Sequence, residues 1–376
     1  MEEYIIQGGK RLRLGYTTGT CAAAAAKAAA WMLLTGKERQ TITLTVPKGI
    51  SLELAICDIH RGEDYVSCAV EKDSGDDPDV TRGTLIYARV ALCPHEGITI
   101  DGGTGVGRVT RRGLDQPVGA AAINSVPREM IRKNLEEVCC LADYSGGLSV
   151  VISAPDGERL AQKTFNPRLG IMGGISILGT SGIVEPMSER ALVDTIRVEL
   201  AQRRAEGKDY VLLTPGNYGS DYIRQDLGID PALAVQISNY IGDALDICKE
   251  LGFRGALLIG HIGKLVKLAG SMFNTHSQYG DCRMEILASH AGAAGLSAEK
   301  IEELLSCVAC DDALRLLKEA GVCEAVLSRL TRKIAENLSR RGGELAVGAV
   351  LFSKEYGHLG ETDNARSLLE RFKGGE

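Results

Sequence analysis

A chain of 376 residues exceeds the usual size of one domain, and a hydrophobic content of 44% is enough to fill more than one core. A formal net charge of -6 weighs against a nucleic-acid-binding protein, whose affinity would rest on a basic surface, although a local basic pocket is compatible with it. The start, MEEYIIQGGKRLR, has no apolar core of signal-peptide length and no run of about 18 apolar residues occurs anywhere, so a soluble, cytoplasmic protein without a membrane partner is expected.

RLGYTTGTCAAAAAKAAA, residues 13–30, reads as a turn feeding a helix made almost wholly of alanine. Thr17, Thr18 and Thr20 can accept bonds from helix N–H groups, Gly19 permits a tight backbone path, and Ala22 to Ala30 has the highest helix propensity available. Alanine buries little area but lets a backbone approach closely. The helix is therefore expected to lie tight against a sheet, with its N-terminus open to an anion. From Thr41 the period becomes an alternation: Ile42, Leu44 and Val46, a turn at Pro47 to Gly49, then Leu52, Leu54 and Ile56. Strands follow at Tyr65 to Val70, Thr84 to Leu92 and Gly97 to Ile100, a helix at Arg128 to Cys140, and a hairpin of Leu148 to Ala154 with Arg159 to Thr164. Many strands with few helices predict an α+β N-terminal domain over residues 1–166.

After Phe165-Asn166-Pro167 the pattern becomes strand, glycine turn, helix, three times. The strands are Ile175 to Leu178, Tyr210 to Leu213 and Ala256 to Ile259. The helices are expected near Ser188 to Arg203, after the Asp230-Pro231 cap, and after Lys264. Three such units predict an α/β Rossmann-like domain with a parallel sheet over 167–296, its ligand beyond the carboxyl ends of the strands. Residues 297–376 read as a helical tail with one strand, Glu344 to Phe352, which the sequence assigns to neither sheet.

The three turns are the candidate ligand loops: Gly179, Thr180, Ser181 and Gly182; Thr214, Pro215, Gly216, Asn217, Tyr218 and Gly219; Gly260 to Lys264. None contains GxGxxG or GxxxxGK[ST], which counts against a standard NAD site and a P-loop. His261 and Lys264 follow a strand in a glycine-rich loop, and His261 is the candidate proton acceptor or orienting group. In DSGDDPDV, which lacks EF-hand spacing, Asp76 is a second catalytic candidate, the alternative being a solvated acidic turn. Arg108, Arg111 and Arg112 place cations beside a glycine-rich segment, a composition suited to a substrate with several carboxylates. The N-terminus of the alanine helix, with Thr17, Thr18 and Thr20, would assist them. Eleven cysteines without a regular framework fit a reducing compartment, and Cys307 and Cys310 have no second CxxC at zinc or iron–sulfur spacing, so no resident metal is expected.

RLGYTTGTCAAAAAKAA, DSGDDPDVT, DGGTGVGRVTRRGL, KTFNPRLGIMGGISILGTSGIVEPMS, LTPGNYG and GHIGKLVKLAGSMFNTHS together resemble the CbiD family of cobalt-precorrin-5B C1-methyltransferases, in the family's order, from about residue 10 to about residue 290. The resemblance implies methyl transfer from S-adenosylmethionine to C1 of a cobalt-containing tetrapyrrole in anaerobic cobalamin biosynthesis, with cobalt arriving only in the anionic substrate. On that reading the three loops hold the donor. A nicotinamide-dependent oxidoreductase and a non-catalytic corrinoid carrier are the competing classes, and self-association into a homo-oligomer is compatible with the sequence.

Overall fold

A computed structural model describes residues 3–7 and 9–373 and divides the chain into two compact units, Met1–Ser188 and Glu189–Glu376. In the first unit the alanine helix runs Thr18–Thr35. Thr17 caps it, its Oγ1 accepting the Thr20 N–H at 3.2 Å, and left-handed Gly36 closes it by donating to Met32 O at 3.1 Å. Every residue from Cys21 to Ala30 is buried, so over this stretch the helix has no solvent face. Alanine permits that: strands Tyr65–Glu71 and Leu85–Cys93 pack on one side and helix Ser125–Leu141 on another. The single long polar side chain, Lys27, carries its ammonium out to Thr43 O and Glu137.

The sheet beneath has the order Cys57–Arg61, Tyr65–Glu71, Leu85–Cys93, Gly147–Ser153, Ile98–Gly102, antiparallel except for the last pair. Two expectations are corrected here. Instead of a second hairpin strand, Gly157–Ala161 forms a short helix, because Gly157, Leu160 and Ala161 bury at helical spacing. Ile175 to Leu178 is no strand of a parallel sheet. Ile175 and Ile177 bridge to Val106 and Ile123 and sit in the same core as the alanine helix, so the first unit extends to Ser188, past the expected boundary at 166.

The second unit carries a five-stranded sheet in the order Ala234–Gln236, Tyr210–Thr214, Gly255–His261, Ala346–Ser353, Gly357–Glu361. The first four are mutually parallel and the last is an antiparallel edge. Gly255 to Gly260 are all buried, as a central strand covered on both faces requires. Helix Asn217–Gln225 begins two residues after the strand Tyr210–Thr214. Asp230 and Pro231 were expected to open a long helix, but they cap only the turn Pro231–Leu233. Ala234–Gln236 then pairs with the free edge of Leu212 to Thr214, a ladder that a helix there would forgo, and the helix starts at Ile241.

The tail is not an appendage. Ala346–Ser353 lies against the whole central strand, Gly255 opposite Ala346 through His261 opposite Phe352. Helix Cys323–Gly342 covers one face with Val326, Leu330, Ile334 and Leu338, and helix Ala365–Lys373 covers the other with Leu368 and Leu369. Among the described residues no helix is long and apolar enough to cross a membrane.

Candidate functional site

In chain order the second sheet reads 2-1-3-4-5, so the connections leave Tyr210–Thr214 and Gly255–His261 in opposite directions, and a crevice opens beyond their carboxyl ends. Gly216 turns the chain there at φ +109, a conformation side chains disfavour, and a Cβ on it would stand 3.5 Å from the Lys264 ammonium. Pro215, Gly216, Asn217, Tyr218, His261 and Lys264 line a cavity of about 340 Å³.

His261 caps helix Ile262–Ala269, its Nδ1 accepting the Gly263 N–H at 3.1 Å. A neutral ring in that bond carries its proton on Nε2, which makes Nε2–H a donor. Nε2 lies 3.9 Å from Asp311 Oδ2, and the ring stands edge-on to Phe352 at 5.6 Å and tilted to Tyr218 at 6.0 Å. Burial pushes the imidazole below its ordinary pKa; Asp311 opposes the shift and Lys354 adds to it. Asp311, in the first turn of helix Cys310–Glu319, accepts the Ser353 hydroxyl at 2.5 Å, and Ser353 Oγ in turn accepts the N–H groups of Glu355 and Tyr356. The Lys354 ammonium sits 3.7 Å over the exposed Tyr218 ring. Beside this cavity a second one, of about 350 Å³, opens between Asn239, Lys264, Lys267, Thr275, His276 and Arg283. His276 itself caps a single turn, accepting the Gln278 N–H at 3.1 Å.

Two of the three expected loops meet here; the third does not. Gly179 to Gly182 belong to the first unit and pack on the start of the alanine helix, where Thr18 Oγ1 donates to Leu178 O at 3.2 Å and Thr20 Oγ1 to Gly182 O at 2.7 Å. A Cβ on Gly179 would fall 2.4 Å from that of Thr17. Thr17, Thr18 and Thr20 are thus buried and bonded within the unit, and the helix end expected to face an anion is closed by the protein's own carbonyls. Gly260 lies inside the strand, where a side chain would meet Pro215 and Leu265. Thr214 is buried beneath the loop and Thr180 is exposed on the first unit.

The acidic turn is a fastener. Asp73 forks onto Arg13, Asp76 accepts the Arg13 N–H at 2.6 Å, Asp77 accepts the Met187 N–H at 2.9 Å, and Asp79 meets the buried Lys72 at 3.0 Å. The Arg13 guanidinium holds the Asp73 carboxyl below its usual range. Arg108 forks onto Asp101 at 2.7 and 3.0 Å, and Arg128 donates to three backbone carbonyls. Arg111 reaches Arg168 O at 3.3 Å; it and Arg112 are exposed. Tyr218 lies within the expected loop, but sequence reasoning missed Lys267, Arg283, Asp311, Ser353 and Lys354. Lys267, three residues after Lys264 on one helix, was accessible from spacing; Asp311 and Ser353 carry no local signal.

The family profile CbiD matches residues 5–186, and the profile CbiD, C-terminal domain, matches residues 274–363. The cobalt-precorrin-5B C(1)-methyltransferase of Ruminiclostridium cellulolyticum is 49% identical over 372 residues, covering 99% of this chain and 94% of its own. That of Alkaliphilus metalliredigens is 46% identical over 374 residues, covering 99% and 98%. A crystal structure of the cobalamin biosynthesis protein cbiD from Archaeoglobus fulgidus is 29% identical, with 73% of this chain and 87% of that chain covered and a TM-score of 0.40.

Proposed function

The chain belongs to the CbiD family, and on that premise we propose that it methylates C1 of cobalt-precorrin-5B with S-adenosylmethionine, giving cobalt-precorrin-6A in anaerobic cobalamin biosynthesis. The observation that carries this is similarity along nearly the whole chain, through both units, to relatives bearing that name. We read the second unit as the Rossmann-like donor domain, in line with its strand order and the crevice at its reversal point. A cavity of about 340 Å³ beside a glycine at positive φ suits a nucleoside that must approach the backbone closely.

The bound donor would supply a methyl group on a positively charged sulfur. The chain's part is to hold the carbon nucleophile in line with it and to exclude water. In this reading Gly216 and Asn217 offer backbone to the donor, and His261 presents Nε2–H as an orienting donor, since its Nδ1 is already occupied. Asp76, Arg108 and the three threonines hold the first unit's loops. Arg111 and Arg112 are left as candidates for the macrocycle's carboxylates. Eleven free cysteines fit the reducing cytoplasm, where we place the enzyme.

Anaerobic incubation with methyl-labelled S-adenosylmethionine and cobalt-precorrin-5B is expected to yield a product heavier by one methyl group, labelled at C1. Corrinoid recovered tightly bound but unmethylated would favour a carrier and overturn the reading. In the same assay Arg111→Ala with Arg112→Ala should raise the macrocycle's Michaelis constant about tenfold or more, and an unchanged constant would free both arginines from that role.

A further inference from the structure

Lys264 lines both cavities of the second unit, the one beside Gly216 and the one beside Asn239 and Lys267. Its ammonium is half-buried, and its one hydrogen bond among the described residues is a long one, to Ser238 O at 3.4 Å. No carboxylate lies within ion-pair distance of it among the described residues. A partly desolvated cation without a counter-ion is unfavourable unless something anionic completes it. Lys267, one turn further along the helix, adds to this. It is 2% exposed, two of its three N–H groups hold the Thr275 and Gly280 carbonyls at 3.1 and 2.9 Å, and its nearest carboxylate, Asp281, is 3.8 Å away. Asp281 is itself held by the fork of Arg283. Among the described residues, then, the Lys264 ammonium has one long bond to a carbonyl and no carboxylate partner, and beside it the Lys267 ammonium has two carbonyls and a carboxylate no nearer than 3.8 Å.

We propose that Lys264, backed by Lys267, binds a carboxylate of a substrate at the junction of the two cavities. This rests on the methyl-transfer reading, because both substrates of that reaction carry carboxylates: the amino-acid end of the donor and the acidic side chains of the macrocycle. Burial and the neighbouring Lys267 push the Lys264 pKa below its ordinary value, a penalty that a bound carboxylate would relieve. The polar cavity, with Asn239, Thr275 and His276 around it, would then hold the carboxylate-bearing part, while the cavity at Tyr218 holds the less polar part.

The test compares wild type with Lys264→Met and Lys264→Arg. Binding of S-adenosylhomocysteine and of its decarboxylated analogue is measured by calorimetry, and the Michaelis constant for cobalt-precorrin-5B by turnover. If the donor's carboxylate is the ligand, Lys264→Met weakens S-adenosylhomocysteine at least about tenfold and leaves the decarboxylated analogue unaffected. If the macrocycle's carboxylate is the ligand, both nucleosides bind normally and the Michaelis constant rises by that factor. In either case Lys264→Arg, which keeps the charge, recovers part of the loss. A working wild type with Lys264→Met unchanged in both measurements, or a loss that Lys264→Arg shares in full, overturns the proposal alone. A wild type that neither binds S-adenosylhomocysteine nor forms product overturns the methyl-transfer reading and this proposal with it.

Discussion

His261 shows how one bond narrows a side chain's chemistry. With Nδ1 accepting the Gly263 N–H, the neutral imidazole has a donor at Nε2 and no free acceptor, so an orienting role fits better than proton abstraction. His261→Ala should lower turnover by about tenfold to a hundredfold in the methyl-transfer assay. His261→Gln, which can still donate, should recover part; near-normal turnover in the alanine variant would leave the residue as a helix cap. Because burial depresses its pKa below 6.5, the ring is neutral above that value in folded and unfolded chains alike. As pH falls through the depressed folded value, protonation displaces the cap and stability is lost. An acid limb centred below pH 6.5 is therefore expected in the wild-type rate profile and should be absent from His261→Gln. Gly216 makes a second case. Valine at φ +109 is strained by about 1–3 kcal/mol, and its side chain would press toward Lys264 at the cavity wall. Gly216→Val should weaken S-adenosylhomocysteine binding in calorimetry while the far-ultraviolet dichroism stays that of the wild type. Unaltered affinity would take this loop out of the donor site.

At the scale of elements, the alanine helix Thr18–Thr35 answers to space more than to propensity. Gly19→Ala should gain about 1 kcal/mol from propensity, yet the new Cβ would stand 2.7 Å from Pro127 Cγ and 3.1 Å from Leu178 O. Overpacking of that kind costs about 1–3 kcal/mol, so a lower urea midpoint is expected. A midpoint above wild type would mean that Pro127 yields easily. The helix was legible from composition, because eight alanines within the nine residues from Ala22 to Ala30, broken only by Lys27, leave few other conformations. Its closed N-terminus was not: the carbonyls that cap it come from Leu178 and Gly182, some 160 residues away. The same distance explains why Gly179 to Gly182 looked like a ligand loop. Locally, a strand-like run followed by Gly-Thr-Ser-Gly resembles the other two; only the pairing of Ile175 and Ile177 with Val106 and Ile123 assigns it elsewhere.

Over the whole molecule, each unit has its own core, and the second is assembled from segments far apart in the chain. Truncation after Gly343 would remove Ala346–Ser353, the helix Ala365–Lys373 and Ser353, which holds Asp311 beside His261. The central strand Gly255–His261 would be left with one edge unpaired and one face uncovered. The truncated chain is expected to lose the cooperative unfolding of the second unit, seen in differential scanning calorimetry, and with it S-adenosylhomocysteine binding. Retention of both would show that the tail is dispensable.

What the sequence determined by itself is what depends on near neighbours. The alanine helix, the alternating strands of the first unit, the strands Tyr210–Thr214 and Gly255–His261 with their glycine turns, and the family all follow from residue order within short windows. Helix and strand periods are properties of local dihedral angles, so a short window is enough to read them. The tertiary structure alone decided which strand edges meet and hence where charges gather. It brought Ala346–Ser353 to the central strand, turned Asp230 to Gln236 from a helix start into an edge strand, and set Asp311 near His261. It also left the Lys264 ammonium between two cavities with no counter-ion among the described residues. Backbone edges accept any strand of suitable length, and side-chain charges act through space, so neither kind of partner is written in the residues beside it.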